Sequence, residues 1–424
     1  MCERCKDVRV LQLTQYFQPE PGLKGLPFAR ELQALGHDVQ VITGFPNYPG
    51  GKLYDGYRLK AIQREMMSGV PVTRVPLLPS HDRSVLRRSA TYLSFLASAS
   101  TIGAMAAAPA DVIYAYHPPI TTGVAASVIG RRLNAPFVYD VQDLWPDSLS
   151  STGMVNNRSL LMKSISRVCQ SVYANATCII ALSPGMKRAL VAQGVPAEKI
   201  RVVYNWCHSE ETMHPSPPND ELKRSLRMAG KFNIMFAGNV GPAQALETVV
   251  AAAEITKETV PDAQFVILGG GIGLDSLQHL VAEKRLDNVI FLARRPPDEV
   301  GDILNLADVL LVHLRDDPTF AAAIPSKTQA YLAMEKPILM AARGDATDLV
   351  RDAGAGLLCE PESPRALADA VETLHNVPKE ALSELGRSGG RYYWDQLSLR
   401  RGTVKIAEVL TEAVAAHPGT RGRK

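Results

Sequence analysis

Short apolar runs alternate with helix-length amphipathic segments along almost the whole chain, and the rhythm is played twice. In the first half, Val8–Leu13, Asp38–Thr43, Val70–Val75, Val112–Tyr116, Phe137–Val141, Cys178–Leu182 and Arg201–Tyr204 predict strands. Helices are predicted between them over Pro27–Leu35, Ile120–Leu133 and Pro184–Gln193. The second half repeats the pattern with strands at Asn233–Phe236, Gln264–Leu268, Val289–Leu292, Val309–His313, Pro337–Met340 and Gly356–Cys359. Its intervening helices are predicted over Ala245–Lys257, Asp275–Lys284 and Ser326–Met334. Strand followed by helix followed by strand leads to parallel sheets covered on both faces. A chain of 424 residues also exceeds the roughly 250–300 residues at which a single core stops growing. Two doubly wound, Rossmann-like α/β domains are the fold this predicts.

The polar, Pro-rich stretch Met213–Asp220 reads as the joint between them. The expected division is residues 1–210 for the first domain and 211–395 for the second. Residues 396–424 should form a helix, Ser398–Ala416, packing back on the first domain and ending in a frayed basic tail, Arg421–Lys424.

Apolar residues make up 46% of the chain and charged ones 21%, which is ordinary for a globular protein and speaks against disorder. Six cysteines in a chain this long do not read as a disulfide framework. Cys2 and Cys5 form one CxxC, but no second CxxC or His pair completes a zinc site. Cys169, Cys178 and Cys359 lie in apolar runs and read as core thiols, pointing to a reducing compartment. The start is polar and its apolar run is too short for a secretory signal. The uncharged stretch Ser89–Ala110 is rich in Ala, Ser and Thr, which suits a buried or interfacial helix better than a span.

Charge is unevenly shared. Residues 1–207 carry 22 Lys and Arg against 13 Asp and Glu, whereas the remainder carries 24 against 30, so the two halves suit different neighbours. Arg83, Arg87 and Arg88 precede the uncharged stretch, and Arg158, Lys163 and Arg167 are interleaved with Leu160, Leu161, Ile165 and Val168. Both patterns suit docking on an anionic membrane surface, and equally a solvated helix face. No stacking aromatics accompany them, so nucleic acid is not an expected partner.

Candidate ligand contacts fall where strands run out, at the carboxyl edge of each sheet. After the first strand, Gly22 and Gly25 precede a helix whose N-terminus favours an anion. In the second half, the turns Phe236-Ala-Gly-Asn-Val-Gly241 and Leu268-Gly-Gly-Gly-Ile-Gly273 place Gly238, Gly269, Gly270 and Gly271 for close approach to a nucleotide. A dinucleotide fingerprint needs an acidic residue about 20 positions further on, at the end of a second strand, and none stands at such a strand end, which argues against hydride transfer. Ile324-Pro-Ser-Lys-Thr328 puts a full positive charge, Lys327, at a helix start capped by Ser326. That suits a diphosphate whose departure leaves negative charge. In the first half His117 ends one strand, and Asp140, Gln142, Asp143 and Asp147 cluster after the next. With no second His or Cys nearby, no metal is expected there; Asp143 and Gln142 suit sugar hydroxyls.

Taken in order, the glycine loop after the first strand, Thr43–Gly51, Val141-Gln-Asp-Leu-Trp-Pro146, Ala237-Gly-Asn-Val-Gly241 and Pro325-Ser-Lys327 resemble the family-4 retaining glycosyltransferases. The likeness runs from about Val8 to Val409. It points to the branch that builds bacterial surface polysaccharides, including fucosamine-type transferases. This resemblance implies a GT-B fold, with two Rossmann-like domains facing across a cleft, and retaining transfer without metal or cofactor. It further implies a UDP-sugar donor on the second domain and a lipid-linked sugar or glycan acceptor on the first, at the cytoplasmic face of the membrane. Asp143, Gln142 and Lys327 would be catalytic. The nucleotide sugar would meet Gly22, Gly25, Gly238, Asn239, Gln244, Gly269, Gly270, Gly271, Arg294, Pro325, Ser326 and Thr328. His117 and Asn47 would lie on the acceptor side.

The chain departs from the family pattern at five positions. Gln142 stands where many relatives carry His and cannot act as a base. Asn239 and Gln244 replace an Arg and a Lys that grip the diphosphate. Ala330 replaces a Glu that binds the ribose, and Glu335 replaces a helix-ending Gly. Two other functions stay open on these residues: a UDP-sugar 2-epimerase, which shares the two-domain plan, and a non-catalytic nucleotide-sugar-binding subunit.

Overall fold

A computed structural model describes residues 7–80, 85–145 and 160–417. Cys2, Cys5, Arg83, Pro146, Asp147, Arg158 and the tail Arg421–Lys424 lie outside the described residues. The chain divides into two compact units, one running to Tyr204 and resumed from Gly402, the other comprising Asn205–Arg401. The joint falls before the Pro-rich stretch because the residues leading into it are bonded to the second unit. Cys207 N–H donates to the Tyr393 hydroxyl at 3.0 Å, and the Glu210 carboxylate accepts from Leu399 N–H at 2.8 Å.

The first unit holds an eight-stranded sheet in the order β3-β4-β2-β1-β5-β6-β7-β8. Its strands are β1 (Arg9–Leu13), β2 (Asp38–Gly44), β3 (Gln63–Met67), β4 (Val70–Val75), β5 (Val112–Tyr116), β6 (Phe137–Asp140), β7 (Cys178–Ala181) and β8 (Ile200–Val202). All neighbours are parallel except β3, which runs antiparallel to β4. The helices of this unit are α1 (Leu26–Ala34), α2 (Val85–Ser98), α3 (Thr121–Leu133), α4 (Leu160–Asn175) and α5 (Pro184–Ala192). The α5 start shows how local chemistry sets an end: Pro184 opens it and the Ser183 hydroxyl accepts from Met186 N–H at 3.0 Å.

The expected interfacial stretch Ser89–Ala110 is mostly helix. It continues from α2 through a π-helical turn, Ala99–Gly103, and a last turn, Ala104–Ala106, burying Phe95, Ala99 and Ala104 in the core. Among the described residues no helix is long and apolar enough to cross a membrane. Cys169 and Cys178 are buried and in no disulfide, Cys359 is half-buried, and Cys207 is buried as well.

The second unit is a six-stranded, all-parallel sheet in the order β11-β10-β9-β12-β13-β14. Its strands are β9 (Phe232–Asn239), β10 (Ala263–Gly270), β11 (Val289–Leu292), β12 (Val309–His313), β13 (Ile338–Ala341) and β14 (Gly356–Leu358). Its helices are α6 (Asp220–Ser225), α7 (Leu246–Thr259), α8 (Leu274–Glu283), α9 (Pro297–Leu304), α10 (Ser326–Ala333), α11 (Asp345–Asp352), α12 (Pro364–His375) and α13 (Lys379–Tyr392). Apolar side chains of β9, β10 and β12 meet α7 and α12 in one core that includes Ile234, Phe236, Val250, Phe265 and Val371. The last helix, α14 (Leu399–Ala416), buries Ile406, Ala407, Leu410 and Ala413, and its Glu412 pairs with Arg201 of the first unit at 2.9 Å.

Two features were not legible as periodicity. The edge strand β3, Gln-Arg-Glu-Met-Met, has no apolar alternation, and only the Ser68-Gly69 pair, both at positive φ, signals the hairpin. Arg74, a charged residue on β4, is fully buried. It donates to Glu65 Oε1 at 2.5 Å and to the Gly44 and Gln18 carbonyls, and stacks 4.8 Å from the Tyr57 ring centroid. One guanidinium thereby ties β3, the end of β2 and the loop after β1. Removing it strands a carboxylate and two carbonyls, so Arg74→Met should cost about 3–5 kcal/mol. Urea unfolding followed by circular dichroism checks this, and a loss below about 1 kcal/mol, the scale of an exposed pair, would refute the pinning role.

Candidate functional site

In the second unit the strand order reverses between β9 and β12, where open α/β sheets bind ligands beyond the carboxyl ends of their strands. These two strands pair only at Ile234↔Val309 and Met235↔Leu310. Beyond Met235 they part. The backbone of Ala237 is satisfied there by a side chain: its N–H donates to the Tyr331 hydroxyl at 2.8 Å, and that hydroxyl donates to the Ala237 carbonyl at 3.3 Å. Tyr331 comes from α10, so this contact holds the helix against the open end of β9.

On the other side β9 and β10 stay together to their ends, with Gly238 opposite Gly269 and Asn239 opposite Gly270. The sequence reading placed these glycines in turns; they are strand termini. The reason is steric. A Cβ on Gly269 would lie 2.0 Å from the Gly238 carbonyl oxygen, and both residues sit at positive φ, 141° and 142°. No side chain tolerates that combination.

A cavity of about 450 Å³ opens over these strand ends. Gly238, Asn239, Gly269, Gly270 and Lys327 form one part of its wall, Arg294 and Arg295 another. Met213, Leu268, Pro297, Val300, Leu304, Ala330 and Tyr331 supply the apolar remainder, with His208 and Ser209 alongside. Three cations and no carboxylate line it among the described residues. The Lys327 ammonium is buried, sits 3.5 Å from the Phe236 ring centroid and has no hydrogen-bond partner among the described residues. Burial pulls its pKa down to about 7. Gly238 makes room for it, since a Cβ there would lie 3.3 Å from the Lys327 nitrogen. An unpartnered cation beneath a bare glycine backbone is ready for an anion.

Of the predicted nucleotide-sugar contacts, this cavity gathers Gly238, Asn239, Gly269, Gly270 and Arg294, together with Lys327 from the predicted catalytic set. Gln244, Gly271, Pro325, Ser326 and Thr328 are not in its wall. The Gln244 carbonyl accepts from His313, at 2.7 Å, in a turn after β9, and Gly271 packs on the Val240 carbonyl. Thr328 is buried. Ser326 does not cap α10: Pro325 holds the cap position, with no side-chain bond, and Ser326 is the first helical residue. Glu335, in the place of an expected glycine, does adopt φ 53°, and Gly386 and Gly390 leave space for its backbone and side chain. Sequence reasoning missed Tyr331, Arg295, His208 and Ser209. The i, i+4 spacing from Lys327 was the available signal for Tyr331; the last two follow no pattern.

The first-unit candidates are less open. Gly25 is the α1 cap, but the Leu26 N–H of that helix start is already taken by the Gln18 side chain, which also fills the space a Cβ at Gly25 would need. That N–H is therefore not available to an anion. Gly22 is at ordinary φ with its nearest neighbour 3.9 Å from a Cβ, so alanine would fit. Asn47 is buried in its own loop, donating through its amide to the Phe45 carbonyl at 3.0 Å, while Asn47 N–H donates to Glu20 at 2.7 Å. Burial raises the Glu20 carboxyl to about 7. His117 is fully buried and held neutral, its pKa depressed to about 3, so it exposes no atom to an acceptor. Asp140 is buried at the end of β6, hydrogen-bonded by the Tyr114 hydroxyl and, at 2.6 Å, by the Gln142 amide. Asp143 is exposed. Among the described residues no group of three His, Cys, Asp or Glu is placed to hold a metal ion.

Residues 26–206 match the Glycosyl transferase 4-like domain and residues 219–389 the Glycosyl transferases group 1 domain. The chain belongs to these GT-B glycosyltransferases. It is 24% identical over 307 residues to WbjE of Pseudomonas aeruginosa, named as a glycosyltransferase, covering 72% of this chain and 76% of that one. It is 26% identical over 357 residues to WcaI of Escherichia coli, whose name places it in colanic acid biosynthesis, covering 82% and 86%. Among solved structures, HepE of Anabaena in complex with UDP and glucose has the same fold, with a TM-score of 0.67, 18% identity, and coverage of 96% of this chain and 100% of that one.

For this glycosyltransferase the buried Lys327 makes a pH-dependent prediction. Its pKa is about 7 folded against 10.5 unfolded. Between those values the unfolded chain binds the extra proton, so stability from this site rises with pH. The penalty is greatest at and below pH 7. Ligand-free Lys327→Met should therefore be more stable than the parent at neutral pH, with the difference shrinking as pH approaches 10.5. Paired urea titrations across that window test it, and a difference independent of pH would refute it.

Proposed function

We propose that this glycosyltransferase transfers a hexose or amino-deoxyhexose from a nucleotide sugar, of the UDP-sugar kind, with retention at the anomeric carbon. The observation that carries the reading is the second-unit cavity, where a partnerless ammonium and two arginines surround bare glycine backbone. A diphosphate matches that charge, and fixed donors already in place stabilise its departure without reorganisation. HepE, which shares the fold, was solved with UDP and glucose. In the proposed step the bond from the anomeric carbon to the phosphate oxygen breaks as the acceptor oxygen bonds to the same face. The acceptor proton passes to the departing phosphate oxygen. Gln142, tied to Asp140, has no role as a base in this scheme, and no metal or cofactor is required. Asp143, exposed after β6, is assigned to sugar hydroxyls.

Calorimetric titration with UDP tests the donor reading, and absence of binding to folded protein would sink it. Lys327→Met should weaken UDP binding and slow turnover by on the order of a hundredfold, because a charge facing the leaving group is lost; unchanged turnover with the donor would remove Lys327 from the mechanism. Binding without turnover of any nucleotide sugar would instead support a non-catalytic subunit, the reading that Ala330 favours.

For the acceptor we propose a lipid-linked sugar or glycan of bacterial surface polymers, met at the cytoplasmic face of the membrane. WcaI and its colanic acid role support this. So does the first unit's surface, where Leu86 and Leu93, seven apart on α2, are exposed beside Arg87, with Leu78 and Met105 exposed as well. Phosphatidylcholine vesicles containing phosphatidylglycerol should sediment the protein, and salt or Leu86→Asp should release it. Equal binding to pure phosphatidylcholine, or none to either, would count against the membrane surface.

A further inference from the structure

The wall of the second-unit cavity has a chemical gap. Recognition of a ribose 2′-hydroxyl in α/β nucleotide sites ordinarily falls to a carboxylate, which accepts from the sugar. No Asp or Glu lines this cavity among the described residues. Ala330 lies one turn beyond Lys327 on the same face of α10, and both belong to the wall. Positions three apart on a helix are neighbours, with about 5–6 Å between their Cβ atoms. A diphosphate held at Lys327 and Gly238 is joined to its ribose through a single ester link, so the sugar falls against Ala330. A methyl group there accepts nothing. The Asn239 side chain does not fill the gap, because it leans toward Gly271, where a Cβ would stand 2.7 Å from its Oδ1. The remaining polar side chains of the wall, apart from the cations, are His208, Ser209 and the Tyr331 hydroxyl. Tyr331 is engaged with Ala237, and neither of the others offers the paired acceptor oxygens that grip a diol.

Resting on the nucleotide-sugar reading above, we infer that this cavity does not read the ribose 2′-hydroxyl, so it takes pyrimidine 2′-deoxyribonucleoside diphosphate sugars as well as their ribonucleoside counterparts. Ala330 is the residue that sets this tolerance. The base and deoxyribose rest on the apolar part of the wall, and the cations hold the diphosphate that both donor classes share.

Titrating the full chain with UDP, dUDP and thymidine diphosphate tests it. Dissociation constants for UDP and dUDP should agree within about threefold, since no charged hydrogen bond distinguishes them. Ala330→Glu should bind UDP over dUDP by on the order of tenfold or more, the scale of a hydrogen bond to a charged group, and Ala330→Gln should do so more weakly. Should the Glu variant not fold, the parent's UDP-to-dUDP ratio decides alone. A parent preference for UDP of tenfold or more overturns the inference while leaving the nucleotide-sugar reading intact. Failure of all three nucleotides to bind overturns both.

Discussion

The second unit is organised around a backbone contact that only glycine permits. Gly238 and Gly269 face each other at the ends of β9 and β10, so close that a methyl group on one would overlap the carbonyl of the other. Two strands can thus run to their carboxyl ends without side chains above them, and the peptide surface itself becomes the floor of a cavity. Because β9 has already left β12 at Met235, the same strand end is open on its other side. Tyr331 closes that opening by hydrogen-bonding Ala237. This hydroxyl joins α10, which carries Lys327 and Ala330, to the open strand end.

Lys327 shows how such a site stores readiness for an anion. An ammonium out of water and without hydrogen bonds is costly, and the Phe236 ring face compensates only in part. The charge is held in place by α10 and by the absence of a side chain at Gly238. A bound diphosphate would supply the missing partner, so part of the cost of burial in the free protein returns as affinity. Arg294 and Arg295 add charge at the mouth without being buried in the same way, being exposed.

Much of this was legible beforehand, and the exceptions have physical causes. Most strand and helix positions followed from apolar periodicity because their apolar side chains enter the cores. The edge strand β3 has no apolar face to show. The glycines were read from composition after strands and Lys327 from its place at a helix start, since close approach and anion binding demand those residue types, whereas Arg294 came only with the family resemblance. Ser326 was misjudged as a cap because a Ser before an apolar run has the right chemistry, yet the helix begins one residue earlier than that role requires. Gly25, Asn47 and His117 were chosen by residue type, and the structure shows each enclosed or already engaged by neighbours distant in sequence or by its own loop.

By itself the sequence determined that the chain makes two doubly wound α/β units, because hydrophobic alternation and chain length admit little else. It also determined that glycine-rich strand ends and a lysine at a helix start belong to the second. Only the tertiary structure decided which polar residues face open space. It revealed that Arg74 is an internal tie, that Tyr331 takes over where two strands part, and that among the described residues no carboxylate lines the cavity around Ala330. Side-chain direction and desolvation depend on contacts between segments far apart along the chain, and residue order carries no direct record of those.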